Sequence, residues 1–477
     1  MKNNYRCVLN YINFVKNFIF MKKIFLLFVL FIFAQNSNCQ DITGTWNGVL
    51  NIQVLELHIV FHIEKTDDGY SATMDSPDQG AKGIPVKKVD FNNSQLTILM
   101  PELMAQYTGE LLDNDTIKGI FTQRSIPIVL NLSRGEIVQN RPQTPKPPYP
   151  YKSIEVSFKN ETDSSIVLSG TLTIPKGDGK FPAVVLVSGS GAQNRDEEIF
   201  EHKPFLVLAD YLTRNGIAVL RYDDRGTAKS TGSFSTATTY DFSTDAQSAF
   251  NFLKKQTNIN PQRVGFIGHS EGGIIAPMIA ARDKNVDFIV SLAGTGISGD
   301  ELLLLQQEAI ATASGINRDE IMLMHNLNKT LFEMIKNTTD SAQLHIQIVN
   351  YLKKAKEDNP KIVDDNTVQT ALAQIDNPWM QYFIRYNPQT AWENVHCAVL
   401  ALNGERDLQV PYNENLTAIK SALEKGGNKN VTIKSFPALN HLFQPCTSGL
   451  PTEYGKIEIT MSEDVLKTIT DWILNQK

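Results

Sequence analysis

Five prolines fall within the ten residues Arg141–Pro150, and no helix or central strand can run through them. Proline fixes φ, donates no backbone N–H and restricts the residue before it, so the segment is confined to an extended, polyproline-like path. It must therefore separate two folding units, and the hydrophobic periodicity changes across it. Upstream, Leu57, Ile59, Phe61 and Ile63 alternate with His58, Val60, His62 and Glu64, the two-residue period of a strand with one buried face. Strand-like runs follow at Tyr70–Ser76, Gln95–Met100, Thr116–Thr122 and Ile126–Leu132, punctuated by Asp-Gly, Asn-Asn and Asp-Asn turns. Seven or eight short strands in about 95 residues predict a small all-β barrel or sandwich over 40–138. Residues 139–150 then form the linker.

Downstream, over 151–477, strands alternate with helical patterns. Ile154–Phe158, Val167–Ile174, Ala183–Val187, Ile217–Arg221, Val264–Ile267, Phe288–Leu292, Ala398–Leu402 and Val431–Phe436 read as strands. The later ones are short, continuous apolar runs, as expected of strands covered on both faces. Pro204–Arg214, Phe242–Gln256 and Gly272–Arg282 carry helical periodicity between them. This order predicts an α/β unit with a doubly wound, mainly parallel eight-stranded sheet. About 100 residues between Ala293 and Ala398 interrupt the rhythm with helical runs only (Glu301–Thr312, Arg318–Ile335, Ser341–Lys356, Asn366–Gln374). An insertion at the C-terminal edge of a strand sits where α/β ligands bind, so a helical cap is expected at about 297–392.

Gly268-His269-Ser270-Glu271-Gly272 fits G-x-S-x-G. The apolar run Val264–Ile267 precedes it and a helical pattern opening at Gly272 follows, which is the strand–turn–helix context of a nucleophile elbow. A serine hydroxyl needs a base, and the base needs an acid to orient it. On this architecture the acid and the histidine follow the serine in that order. Of the downstream histidines, His325 and His345 fall in the expected cap and His396 precedes a strand, whereas His441 follows the last strand. The loop after Ala398–Leu402 offers Asp407 as the acid, with Glu405 as the alternative. Oxyanion donors are expected from the amide of Glu271 and from the loop after Ala183–Val187, where the Ser190 amide is favoured and Gly191 stands beside it.

Composition narrows the classes further. The formal charge is −6 and no long basic run occurs, so there is no electrostatic footprint for nucleic acid. Four cysteines in 477 residues, with no C-x-x-C pair, argue against a disulfide framework or a thiolate zinc site. Met21-Lys22-Lys23 followed by Ile24–Ala34 and Ser37-Asn38-Cys39 has the form of a secretory leader ending before Gln40. Residues 1–39 are accordingly expected to be a signal peptide, with translation starting at Met1 or at Met21. A periplasmic or extracellular mature protein without a stable membrane span would result. Cys39 as a lipidated cysteine is the alternative, although Asn38 is a poor fit to the small residue such a site needs. Sequence does not show whether Cys397 and Cys446 meet, nor does it reveal an oligomeric state.

Together, the strings Val187–Glu197 (VSGSGAQNRDE), Arg221–Ser230 (RYDDRGTAKS), Gly268–Gly273, Gly404–Asp407 and Asn440-His441 resemble the α/β-hydrolase superfamily of serine esterases. The resemblance is to bacterial carboxylesterases with an N-terminal β domain, and Gly44-Thr45-Trp46 looks like the start of a lipocalin-like barrel. It implies hydrolysis of a small-molecule carboxylic ester through Ser270, His441 and Asp407, with an acyl-enzyme intermediate and no metal or organic cofactor. Two positions depart from the family pattern: Ser188 replaces a histidine and Ala228 replaces a glycine. Asp223 and Arg225 read as structural partners. A serine peptidase of prolyl-peptidase type, a polysaccharide side-chain esterase and a non-enzymatic apolar-ligand-binding exported protein are the alternatives.

Overall fold

The computed structural model describes residues 41–52, 55–77, 81–136, 140–360 and 362–476. The leader expected at 1–39 lies outside them. Two compact units divide between residues 138 and 139.

Among the described residues the first unit contains ten strands: β1 (Gly44–Ile52), β2 (Leu55–Thr66), β3 (Gly69–Ser76), β4 (Ala81–Pro85), β5 (Lys88–Asn92), β6 (Gln95–Met100), β7 (Ala105–Asp113), β8 (Thr116–Gln123), β9 (Ile126–Val129) and β10 (Leu132–Arg134). The expected run Ile126–Leu132 is thus two strands. Because β10 pairs antiparallel with both β1 and β8, the sheet closes on itself, which decides for a barrel over a sandwich. Alternation does the packing: along β7, Ala105, Tyr107 and Leu111 are buried while Gln106, Thr108 and Glu110 face out. Trp46, Phe61 and Tyr107 fill the interior, and Trp46 donates its indole N–H to the Ile42 carbonyl at 2.8 Å.

In the second unit the strands β11 (Lys152–Lys159), β12 (Val167–Ile174), β13 (Phe181–Val187), β14 (Ala218–Tyr222), β15 (Ile259–His269), β16 (Phe288–Leu292), β17 (Ala398–Gly404) and β18 (Val431–Phe436) form one sheet. Their order is β11-β12-β14-β13-β15-β16-β17-β18. From β14 to β18 every pairing is parallel, and β12 runs against its neighbours. Helices α1 (Pro204–Arg214), α2 (Thr239–Lys254) and α3 (Gly272–Ala280) follow β13, β14 and β15. Separate apolar clusters cover the two sheet faces, one built with α2 and α3 and the other with α1.

The insertion after β16 is helical: α4 (Gly299–Ala313), α5 (Arg318–Asn337), α6 (Ser341–Asp358), α7 (Asp365–Ile375), α8 (Pro378–Arg385) and α9 (Gln389–Glu393). Asn317, Asp340, Asp364 and Asn377 each accept a first-turn N–H through the side chain, so the polar residues between the apolar runs act as N-caps. Leu331, Ile335, Leu344, Ile348 and Ile384 give the insertion its own core. Two more helices, α10 (Tyr412–Lys425) and α11 (Glu463–Asn475), complete the unit.

The proline segment is not a free tether. Arg141 donates to the carbonyls of Phe200, Gly455 and Ile457, and Gln143 Oε1 accepts from the amides of Thr460 and Met461. Proline prevents the segment from pairing as a strand, and side chains anchor it instead. No described helix is long and apolar enough to cross a membrane.

Candidate active site

The central strand β15 ends in the turn that carries Ser270. This serine has φ +52°, a left-handed conformation that is costly for a residue with a Cβ and tends to persist only where the surroundings enforce it. The enforcement is visible. The Ser270 amide donates to Leu292 O at 2.9 Å, and its carbonyl accepts from the Gly273 amide at 2.9 Å as α3 begins. A Cβ at Gly268 would lie 2.0 Å from the Gly272 carbonyl oxygen, and one at Gly272 would lie 2.1 Å from that of Val187. Both glycines of the pentapeptide are therefore fixed by close backbone approach.

His441 lies in the loop after β18, and its Nδ1 is 2.8 Å from Asp407 Oδ2. Asp407 Oδ1 accepts from the amides of Gln409 and Val410, each at 2.8 Å, and the carboxylate is buried. Glu405 is exposed and accepts from Ser435 Oγ. The His441 carbonyl is 3.0 Å from His269 Nε2, and the two imidazole rings are 4.8 Å apart. The loop that carries His441 is thus held against the residue that precedes Ser270. His325 and His345 sit on cap helices beside Glu308 and Asp376.

The loop after β13 passes against the serine: a Cβ on Gly189 would come within 3.2 Å of Ser270 Cβ. The Gly189 amide is occupied, donating to Glu197 Oε1 at 2.7 Å. Among the described residues the amides of Ser190, Gly191 and Glu271 donate to no protein acceptor. Ser188 donates from Oγ to Asp224 Oδ1 at 3.0 Å, and Asp224 Oδ2 accepts from the Gln193 amide, so this acid braces the loop from below. Burial pushes the Asp224 carboxyl up to about 8. Ala228 takes φ +47°, so the position where glycine is usual demands a left-handed backbone and alanine adopts it under strain. Asp223 pairs with Arg195, and Arg225 with the buried Asp245.

Several residues at this site carry no motif of their own. Glu271 is buried, and its Oε1 accepts from Thr239 Oγ1 and from the indole N–H of Trp379, both at 2.6 Å. Burial lifts its carboxyl to about 7, and the two hydrogen bonds oppose that rise. Trp379 belongs to α8, a helix missing from the sequence reading although Asn377-Pro378 is a start signal for one. On α3, the helix that follows the serine, Ile274 and Met278 cluster with Val410 and with Leu302 and Phe383 from the insertion. Of the run Leu302–Leu305 this brings Leu302 and Leu303 to the cluster on α3. No group of three or more metal-ligating side chains occurs among the described residues. Cys397 and Cys446 are free thiols, and burial pushes that of Cys397 up to about 12.

The family model of the X-Pro dipeptidyl-peptidases (S15 family) matches residues 163–434. Esterase EstD of Thermotoga maritima is 30% identical over 330 residues, covering 67% of this chain and 68% of that protein. Among solved structures, the Pyrococcus furiosus esterase Pf2001 aligns with a TM-score of 0.43 at 14% identity, over 72% of this chain and 99% of that one. The α/β hydrolase GrgF from Penicillium sp. sh18 aligns at 0.41 and 16% identity, over 68% and 99%. With a family match across more than half its length and a curated relative aligned over two thirds of both chains, this chain belongs to the S15 family and is a hydrolase of the α/β-hydrolase superfamily.

Proposed function

We propose that the protein hydrolyses small carboxylic esters by two-step acyl transfer from Ser270. The observation that carries the reading is a strained serine at φ +52° on the central strand, with the hydrogen-bonded His441–Asp407 pair held against the same turn. His441 takes the Ser270 proton as Oγ attacks the ester carbonyl. Asp407 keeps the imidazole in the tautomer whose Nε2 can accept, and stabilises the imidazolium that forms. The Glu271 and Ser190 amides, with Gly191 beside them, receive the developing oxyanion, each contributing on the order of 3 kcal/mol. The alcohol leaves with the proton from His441, water enters, and the same base directs hydrolysis of the acyl-enzyme.

The Thermotoga relative is an esterase by name, which supports esters as the substrate class. The apolar cluster that joins Ile274 and Met278, on the helix following the serine, to Val410, Leu302 and Phe383 suits an acyl group. The family match supports a second reading, cleavage after proline in a peptide. Rates on p-nitrophenyl acetate and on an X-Pro p-nitroanilide, measured side by side on the mature protein, separate the two. In either case Ser270→Ala should abolish turnover and fluorophosphonate labelling while the melting curve stays that of the parent. Retained turnover would end the proposal. The leader and the Gly44-Thr45-Trp46 start further support an exported enzyme with a lipocalin-like N-terminal barrel.

A further inference from the structure

His269 occupies the variable position before the nucleophile, where the motif asks for nothing in particular. Its ring is buried, and both ring nitrogens face atoms that can only accept. Nδ1 lies 2.9 Å from Glu197 Oε1, and Nε2 lies 3.0 Å from the His441 carbonyl oxygen. A neutral imidazole has one N–H and one lone pair, so it would set that lone pair against one of these oxygens; a ring with two N–H groups satisfies both. Glu197 is itself buried, with φ +51°, a strained backbone for a non-glycine residue. The same Oε1 that meets His269 also accepts the Gly189 amide at 2.7 Å. One pair of side chains therefore touches all three catalytic loops: the oxyanion loop through Gly189, the nucleophile turn through His269 and the base loop through the His441 carbonyl.

We infer that His269 is held as a buried imidazolium and that the Glu197–His269 pair positions the oxyanion loop, the serine and the catalytic base relative to one another. The charged and titratable groups around the ring are the Glu197 carboxylate on one side and the His441 ring and Asp407 carboxylate on the other. Burial acts against the charge on His269, but the charge and hydrogen bond of Glu197, the His441 carbonyl and Asp407 outweigh it and raise the ring above the usual histidine range. The pair is a positioning device: it touches no reacting atom, and it acts by fixing the distance between groups that do.

The test uses the full chain labelled with 15N-histidine, the His269 ring being assigned by its loss in His269→Gln or its shift in Glu197→Gln. In the parent at pH 7 both ring nitrogens should be protonated, and in Glu197→Gln one of them should lose its proton. A parent ring with one bare nitrogen at pH 7 overturns the inference. The kinetic arm rests on the ester-hydrolase reading: on p-nitrophenyl acetate, both variants should lose kcat by about 100-fold with KM held within about twofold, the cost of a small misplacement of reacting groups. A Glu197→Gln protein that melts like the parent and keeps its kcat overturns the positioning role. The spectroscopic arm reads the ring whether or not any ester is turned over, so its failure is distinguishable from failure of the ester reading.

Discussion

Replacing Asp407 by asparagine should cost about four orders of magnitude in kcat, or about 5 kcal/mol of transition-state stabilisation, and the structure shows why the amide cannot substitute. Asp407 Oδ1 accepts two backbone amides, from Gln409 and Val410, at 2.8 Å each. The side-chain oxygen of the introduced asparagine must take that side, because an NH2 there would face two donors and leave them buried without acceptors, at about 1–3 kcal/mol each. Its NH2 then occupies the place of Oδ2, 2.8 Å from His441 Nδ1. Nδ1 must accept, so the ring proton moves to Nε2, the nitrogen that has to receive the proton of Ser270. Substrate binding is untouched, so KM should hardly change. Asp407→Ala supplies the control: it removes the acceptor without forcing the wrong tautomer, so it should retain at least as much activity as Asp407→Asn despite leaving the two amides unmet. The assay is steady-state hydrolysis of p-nitrophenyl acetate with fluorophosphonate labelling in parallel and a melting curve for each variant. If Asp407→Asn keeps kcat within about tenfold of the parent, the assignment of Asp407 is wrong.

Glu271→Gln should change how stability depends on pH. The buried carboxyl holds its proton up to about 7 in the folded protein, against an ordinary glutamate value of 4.5. Between those values the unfolded chain has released the proton and the folded chain has not, so parent stability falls as pH rises through this window, by up to about 3 kcal/mol. Glutamine, which keeps an acceptor for Thr239 and Trp379, should track the parent at pH 4.5 and gain on it progressively to pH 7; a constant difference in melting temperature across that range would refute this. Ala228→Gly should stabilise the protein by about 1 kcal/mol, because the exposed Ala228 sits at φ +47° where glycine has no Cβ penalty; a lower midpoint in urea would show that the loop depends on the methyl group.

Much of the candidate site was legible because its geometry is tied to local sequence. Val264–Ile267 running into Gly268-His-Ser-Glu-Gly272 can do little but end a buried strand in a sharp turn, since a Cβ added at either glycine would meet backbone oxygen at 2.0 or 2.1 Å. The order of Ser270, Asp407 and His441 along the chain follows from which strand each one trails, and strands are readable from apolar runs. The alternation along Leu57–Ile63 likewise announces a half-buried strand.

Long-range partners left no such mark. Glu197 and His269 are 72 positions apart, Trp379 and Glu271 are 108, and His441 reaches His269 across 172. A buried acid or histidine looks, in sequence, like any other, because its state is set by which groups the fold brings around it. Closure of the barrel was equally silent: it depends on Leu132–Arg134 bridging two strands that lie far apart in the chain. The proline run fixed where regular structure must stop, but only the folded chain decided that Arg141 and Gln143 would anchor it to the hydrolase unit. Periodicity and turn chemistry act over a few residues and so determine the elements and their order; desolvation, charge pairing and hydrogen-bond direction act through space, and these determine what the elements do together.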